Sequence, residues 1–280
     1  QACGNFGQFA KASTVDLSLM MRHLGSQDNE APLMKPFLIL QLRPETEASD
    51  DEYQAILTKS GLSAEDTVRI RLDVEDLPRD LDLDAFSGVI VGGGPGCVSD
   101  APDKKSDIEA RIEDAVLGLM PEITEKDFPF LGCCYGIGIL GHHLGRTVSK
   151  ENYSEDVGVS DCSITPDGSN DPLLKDIPDR FFAFVGHKEA VQRLPEGCTH
   201  LVSSPTCPFQ MIRFGCNVYA TQFHPEADSD GFEVRIGIYK HRGYFRPEDA
   251  DDLVQMCRSA DVHAPEKVLR NFVDVYAQDA

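Results

Sequence analysis

The sequence predicts an α/β fold: a mostly parallel central sheet with helices on both faces, a smaller antiparallel β layer, and helices at the C-terminal end. Three observations predict it. Short apolar runs alternate with helical patterns from Lys35 to the middle of the chain, which implies parallel strands joined by crossover helices. Between Val157 and Phe223 the texture changes to closely spaced runs of β-branched and aromatic residues, the pattern of an antiparallel layer. From Asp230 onward the pattern is helical and rich in acids.

The elements follow in order. Residues 1–34 carry little pattern and read as an extension outside the fold, in which the apolar stretch Leu17 to Leu24 would form one surface helix. Lys35-Pro-Phe-Leu-Ile-Leu-Gln41 reads as the first strand, followed by a helix from Asp51 to Ser60 and strands at Val68 to Leu72 and Gly88 to Val91. A helix from Lys104 to Leu119 leads into a strand at Phe128 to Leu131 and a buried helix through Ile137-Gly-Ile-Leu-Gly141. The β-rich part comprises Val157 to Ile164, Arg180 to Val185, His200 to Ser204, Gln210 to Phe214 and Asn217 to Phe223. Helices are expected at Asp230 to His241, Arg246 to Ser259 and Pro265 to Gln278, so residues 35–245 form the main domain and 246–280 a helical appendage.

The run Phe128-Pro-Phe-Leu-Gly-Cys-Cys-Tyr-Gly136 is a strand breaking into a tight turn with Cys134 at its apex. Gly132 and Gly136 flank the thiol at two residues on either side, which lets the backbone turn sharply and the strand pack closely on the helix. At a helix N-terminus, free N–H groups and the helix dipole favour thiolate over thiol. A buried structural cysteine between glycines would show the same local pattern. Ninety residues on, Asn217-Val-Tyr-Ala-Thr-Gln-Phe223 ends at His224-Pro225-Glu226. Pro225 cannot join a ladder and keeps His224 out of the helical region, so the strand presents His224 at its end. Glu226 then reaches one imidazole nitrogen while the other faces a thiol, which assembles a nucleophile, a base and an orienting carboxylate. A third feature, Ile90-Val-Gly-Gly-Gly-Pro-Gly96, is a strand end opening into a Gly-rich turn where a backbone can approach a ligand closely. No Lys-Ser or Lys-Thr follows the glycines, so it does not fit a nucleotide-phosphate loop of the Walker type.

Together, the Gly132 to Gly136 elbow, the Gln222-Phe-His-Pro-Glu226 strand end and the Gly92-Gly-Gly-Pro95 turn resemble the class I glutamine amidotransferases, whose fold is flavodoxin-like. Within that family the chain is most similar to the amidotransferase portion of GMP synthetase, through Gly186-His-Lys188 with Val191 and Ser203-Ser-Pro-Thr-Cys-Pro-Phe-Gln-Met211. The resemblance covers roughly Lys35 to Gly237. It implies that Cys134 is the nucleophile that forms a γ-glutamyl thioester, His224 the base and Glu226 its orienting partner. It also implies that the backbone N–H groups of Gly94 and Tyr135 form the oxyanion hole. Gly93, Gly96, Gly138 and His187 are expected around the substrate. Gly138 departs from the family, which usually places Gln there, and Cys133 stands where an aliphatic residue is common.

Composition narrows the setting. With 280 residues and 41% hydrophobic content the chain can bury a full core. Twenty-six basic against 47 acidic residues give a net charge of −21, which repels nucleic acid and anionic membrane surfaces and excludes them as expected partners. Nine cysteines, an odd number, read as reduced thiols and not a disulfide framework, and no run suits a membrane span or signal peptide, so a cytoplasmic setting is expected. Cys198, Cys207 and Cys216 lack Cys-x-x-Cys spacing, and no metal or other cofactor is expected.

The expected function is a stand-alone glutamine amidotransferase-type hydrolase that releases ammonia from the glutamine side-chain amide. With no linker to mark an attached synthetase domain, any acceptor would lie on a separate synthetase chain. The alternative is a γ-glutamyl peptide or amide hydrolase with the same triad, motivated by the missing side chain at Gly138. A second alternative is a non-enzymatic binding protein on this fold, against which the intact Cys134, His224 and Glu226 argue.

Overall fold

The computed structural model describes residues 34–278; the expected surface helix at Leu17 to Leu24 lies outside them, as does nearly all of the expected extension. Its centre is a nine-stranded sheet in the order β2-β1-β3-β4-β11-β10-β9-β6-β7. The strands are β1 (Phe37–Gln41), β2 (Thr67–Arg71), β3 (Gly88–Val91), β4 (Phe130–Cys133), β6 (Glu155–Ile164), β7 (Arg180–His187), β9 (Cys198–Ser203), β10 (Met211–Phe214) and β11 (Val218–Thr221). The five strands from β2 to β11 are parallel, and the remaining four continue the same sheet antiparallel. The antiparallel β structure expected before His224 is therefore present mostly as an extension of the sheet edge. Two short strands, β5 (Val148–Ser149) and β8 (Ala190–Val191), form a separate antiparallel pair. At two residues each they are too short to show alternation in sequence.

Strand β1 shows how the two layers arise. Its five residues are buried, with Leu38 and Leu40 entering one apolar cluster and Phe37 and Ile39 the other, as the two-residue period of a strand covered on both faces requires. Helices α2 (Asp107–Lys126) and α3 (Tyr135–His143) cover the first face through Ile112, Val116, Met120, Ile137 and Leu140. Helices α1 (Thr46–Ser60) and α6 (Glu266–Tyr276) cover the second through Tyr53, Ile56, Leu269 and Phe272. A third cluster joins α4 (Ser229–Tyr239) to α5 (Ala250–Ser259) and to Phe184 of β7.

Helix α2 runs past its expected end at Leu119, through Pro121, to Lys126. A proline inside a helix costs about 3 kcal/mol. Here the buried stripe Ile112, Val116, Met120, Ile123 continues across it, and Thr124 Oγ1 donates to Met120 O at 2.8 Å. Burial of that stripe outweighs the lost hydrogen bond. Ser106 and Glu109 form a capping box at the start of the helix, and Asp127 ends it in the left-handed region at φ 47°.

Candidate active site

Open parallel sheets bind ligands beyond the carboxyl ends of their strands. At those ends of the adjacent strands β1, β3, β4 and β11 stand Arg43, the Gly93–Gly94 turn, Cys134 and His224. All but Gly93 line one cleft.

Cys134 has φ 53° and ψ −90°, a conformation that non-glycine residues rarely adopt and that costs of order 1–3 kcal/mol. The structure thus contains the strained turn that the glycine spacing predicts. A Cβ at Gly132 would meet Gly136 Cα at 3.0 Å, so only glycine lets strand and helix approach this closely. Cys134 N–H donates to Thr221 O at 2.7 Å, tying the turn to β11. Burial pushes the thiol up to about 12 while Arg43 and Arg235 pull it down. The thiolate preference expected from the helix N-terminus is therefore outweighed by burial.

His224 Nδ1 lies 2.7 Å from Glu226 Oε1, and Arg235 Nη1 of α4 donates to the same oxygen at 2.9 Å. Burial alone would raise the Glu226 carboxyl, but its partners His224 and Arg235 outweigh it and hold the group well below the usual carboxylate range. Burial lowers His224 from its usual value; Glu226 opposes this and the cations Arg235 and Arg43 reinforce it. His224 is thus a neutral imidazole at neutral pH, able to accept a proton through the nitrogen not facing Glu226. Among the described residues no hydrogen bond joins it to Cys134 Sγ, although both line the same cleft.

Two backbone donors complete the arrangement. Gly93 N–H is engaged by Glu52 Oε1 at 3.1 Å and Cys134 N–H by Thr221, whereas among the described residues Gly94 N–H and Tyr135 N–H have no protein partner. Tyr135 opens α3, where first-turn N–H groups lack intrahelical acceptors. Its hydroxyl donates to Glu113 Oε2 at 2.7 Å, and its ring would lie 3.0 Å from a Cβ at Gly96, so the side chain props the glycine turn from below.

The remaining expected positions divide. Gly96, Gly138 and His187 line the arm of the cleft that also holds Glu189, Gln222 and Tyr244. Gly93 faces Arg43 and His224 instead. His187 has both ring nitrogens occupied, by Glu189 O at 2.9 Å and by Glu155 Oε2 at 2.9 Å. Glu155, His187 and Cys207 are close enough to hold a metal ion. The Glu155 carboxylate, however, also accepts from Ser160, Thr206 and Gln210, so its lone pairs are already committed to protein donors. This donor set fits a hydrogen-bonded brace and not a metal centre.

Sequence reasoning missed Arg43, Arg235 and Glu189. Glu189 is buried, and its two oxygens accept from Val98 N at 2.8 Å and Ser99 N at 2.9 Å. A Cβ at Gly138 would lie 3.0 Å from Glu189 Oε1, so the space above Gly138 is filled by this carboxylate. No local motif announces such contacts, which join residues about ninety positions apart.

These features define an α/β enzyme architecture with a cysteine at a strained strand-to-helix turn and a histidine–carboxylate pair opposite it. The family model for class-I glutamine amidotransferases matches residues 51–236, and the chain belongs to that family of enzymes. GMP synthase [glutamine-hydrolyzing] of Lactobacillus delbrueckii subsp. bulgaricus is 31% identical over 153 residues, and that of Neisseria meningitidis serogroup C is 32% identical over 154. Each alignment covers 54% of this chain and 26% of the relative, so the chain matches about a quarter of the length of these curated relatives. A glutamine amidotransferase from Thermotoga maritima superposes with a TM-score of 0.67 at 20% identity, covering 86% of this chain and 98% of that one. One from Methylobacillus flagellatus gives 0.62 at 16%, covering 88% and 97%. Among the described residues, no helix is long and apolar enough to cross a membrane.

The depressed His224 carries a pH expectation. An imidazole that must be neutral to act, and whose value lies below the ordinary ~6.5, keeps working below that pH. The acid limb of kcat/KM for glutamine hydrolysis is expected below pH 6.5, and a pH–rate profile with a midpoint at or above 6.5 would contradict a buried neutral His224. The same sign applies to folding. Both His224 and Glu226 are depressed, so their contribution is present above their unfolded values and is lost as pH falls.

Proposed function

We propose that this chain hydrolyses the side-chain amide of glutamine to glutamate and ammonia through a γ-glutamyl thioester on Cys134. The observation that carries the reading is the meeting of Cys134, at positive φ, with the 2.7 Å His224–Glu226 pair beside two backbone N–H groups that have no partner among the described residues. His224 takes the Cys134 proton as the sulfur attacks the amide carbonyl, and the oxyanion sits against the Gly94 and Tyr135 N–H groups. The C–N bond breaks as His224 returns that proton to the nitrogen, so ammonia departs. Water, deprotonated by His224, then attacks the thioester; the C–S bond breaks, glutamate leaves and the thiol regains its proton.

Substrate polarity supports the assignment. Glu189 is a buried carboxylate with no ion-pair partner among the described residues, and it shares a cleft arm with Cys134. Such a group is suited to the α-ammonium of a glutamyl substrate. The same cleft continues past Cys134 and His224 toward Phe232, Ile236 and Phe245. Because Glu189 fills the volume above Gly138, the missing side chain there does not enlarge the pocket for a γ-glutamyl peptide.

The released ammonia suits an amination carried out by a synthetase, as the name of the GMP synthase relatives suggests. The test is a parallel assay of glutamine and γ-glutamyl peptides, measuring glutamate, ammonia and amine. Glutamine is expected to be turned over with the higher kcat/KM, and a preference for the peptides would transfer the assignment to the amide hydrolase reading. With ATP and xanthosine monophosphate added, the chain alone is expected to form no GMP.

A further inference from the structure

Arg43, just beyond β1, is a buried cation that the reaction outlined above does not use. Its Nε donates to Glu52 Oε1 at 2.8 Å and its Nη1 to the Tyr239 hydroxyl at 3.2 Å. Glu52, from α1, is fully buried, and the same Oε1 accepts the Gly93 N–H at 3.1 Å. One carboxylate oxygen therefore joins a guanidinium to the residue immediately before the free Gly94 N–H. The glycines are required for this fit. A Cβ at Gly92 would be driven into the Glu52 carboxylate, and one at Gly93 would lie 2.7 Å from Arg43 Nη2 and 2.9 Å from His224 Cε1. Arg43 and His224 thus pack against the same glycine, and both line the cleft with Cys134.

A buried ion pair is weak evidence for stability, because removing two charges from water costs about as much as their attraction returns. Its placement here gives it another use. Peptide planes are rigid, so anchoring the Gly93 N–H limits where the next N–H, that of Gly94, can point.

We propose that Arg43 is a positioning residue of this site: through Glu52 it holds the Gly93–Gly94 turn so that the Gly94 N–H meets the oxyanion, and its guanidinium supplies positive charge beside the Cys134 sulfur as it loses its proton. The inference rests on the hydrolytic reading for its oxyanion half. The half concerning the sulfur rests on the cleft that Arg43, His224 and Cys134 share and on the contact of Arg43 and His224 with the same glycine. The cleft sets Arg43, Arg235, Lys188, His187, His224, Glu189, Cys97, Tyr135, Tyr239 and Tyr244 around Cys134, with Glu226 behind His224 and Cys133 adjacent to Cys134 in sequence. Among the described residues Arg43 is the cation of this group that is also tied, through Glu52, to the Gly93 turn.

The test compares the whole chain with Arg43→Ala, Arg43→Lys and the double variant Arg43→Met with Glu52→Gln. The double variant leaves no unpaired buried charge and keeps an acceptor for Gly93, so it guards against simple unfolding. Iodoacetamide alkylation of Cys134, followed at that peptide by mass spectrometry, is measured against pH alongside kcat and KM for glutamine. Arg43→Ala and the double variant are expected to alkylate only at higher pH than the parent. In Arg43→Ala, kcat is expected to fall about 10–100-fold with KM changed less than about threefold. Arg43→Lys is expected to keep the alkylation profile, because the charge remains, while recovering only part of kcat. An unshifted alkylation profile in the folded double variant would overturn the proposal, as would a raised KM with kcat unchanged. If the parent did not hydrolyse glutamine, the functional reading would fail, and the alkylation profiles would still decide the role of Arg43.

Discussion

Replacing Cys134 by alanine is expected to lower glutamine turnover by at least about 10⁴-fold, because no other group at the turn can form the thioester. The neighbouring Cys133→Ala is the informative control. Cys133 is fully buried in the second face of the core, with Leu131 and Tyr219, and burial pushes its thiol far above the ordinary value. It therefore remains a protonated, apolar filler. Its loss should reduce stability by about 1 kcal/mol and leave kcat within a few-fold of the parent. The sharper measurement is the labelling site of a glutamine-analogue electrophile, read by peptide mass spectrometry. Labelling at Cys134 is expected, and labelling at Cys133 would show that the elbow apex had been misplaced by one residue.

The second large effect is expected at His224. His224→Ala removes the group that accepts the thiol proton and returns it to the departing nitrogen, and kcat should fall by at least about 10³-fold. Glu226 is expected to matter less for chemistry and more for folding. It is fully buried between His224 and Arg235, so Glu226→Ala leaves the Arg235 guanidinium without its partner, a change that costs about 3–5 kcal/mol. Glu226→Gln keeps an acceptor for the imidazole at a smaller structural cost and is the better probe of orientation. Its kcat should fall less than that of His224→Ala while Tm stays closer to the parent. Parental kcat in His224→Ala, measured where chemistry limits turnover, would remove the base from the scheme.

Much of the site was legible because its central features are local. The positive φ of Cys134 follows from two small flanking residues, and the presentation of His224 follows from the proline after it. Glu226 reaches His224 because it is two residues away. Helix ends were less legible. Thr46 opens α1 five residues before the expected Asp51, and α2 crosses Pro121 because its buried stripe continues. Local propensity yields to burial at such places.

What the sequence determined by itself is therefore the order of strands and helices, the strained cysteine turn, and the histidine–carboxylate pair, all set by interactions within a few residues of one another. Only the tertiary structure decided that the ends of β1, β3, β4 and β11 stand side by side, and that the antiparallel strands extend the sheet edge. It alone placed Arg43 on Glu52 and the Gly93 turn, Arg235 on Glu226, and Glu189 over Gly138. Each of these contacts involves a charged group whose sequence neighbours carry no periodic signal. The physical reason is that a buried charge is tolerated only where a distant partner or backbone donor meets it. Chain topology, and not local pattern, sets where that partner lies.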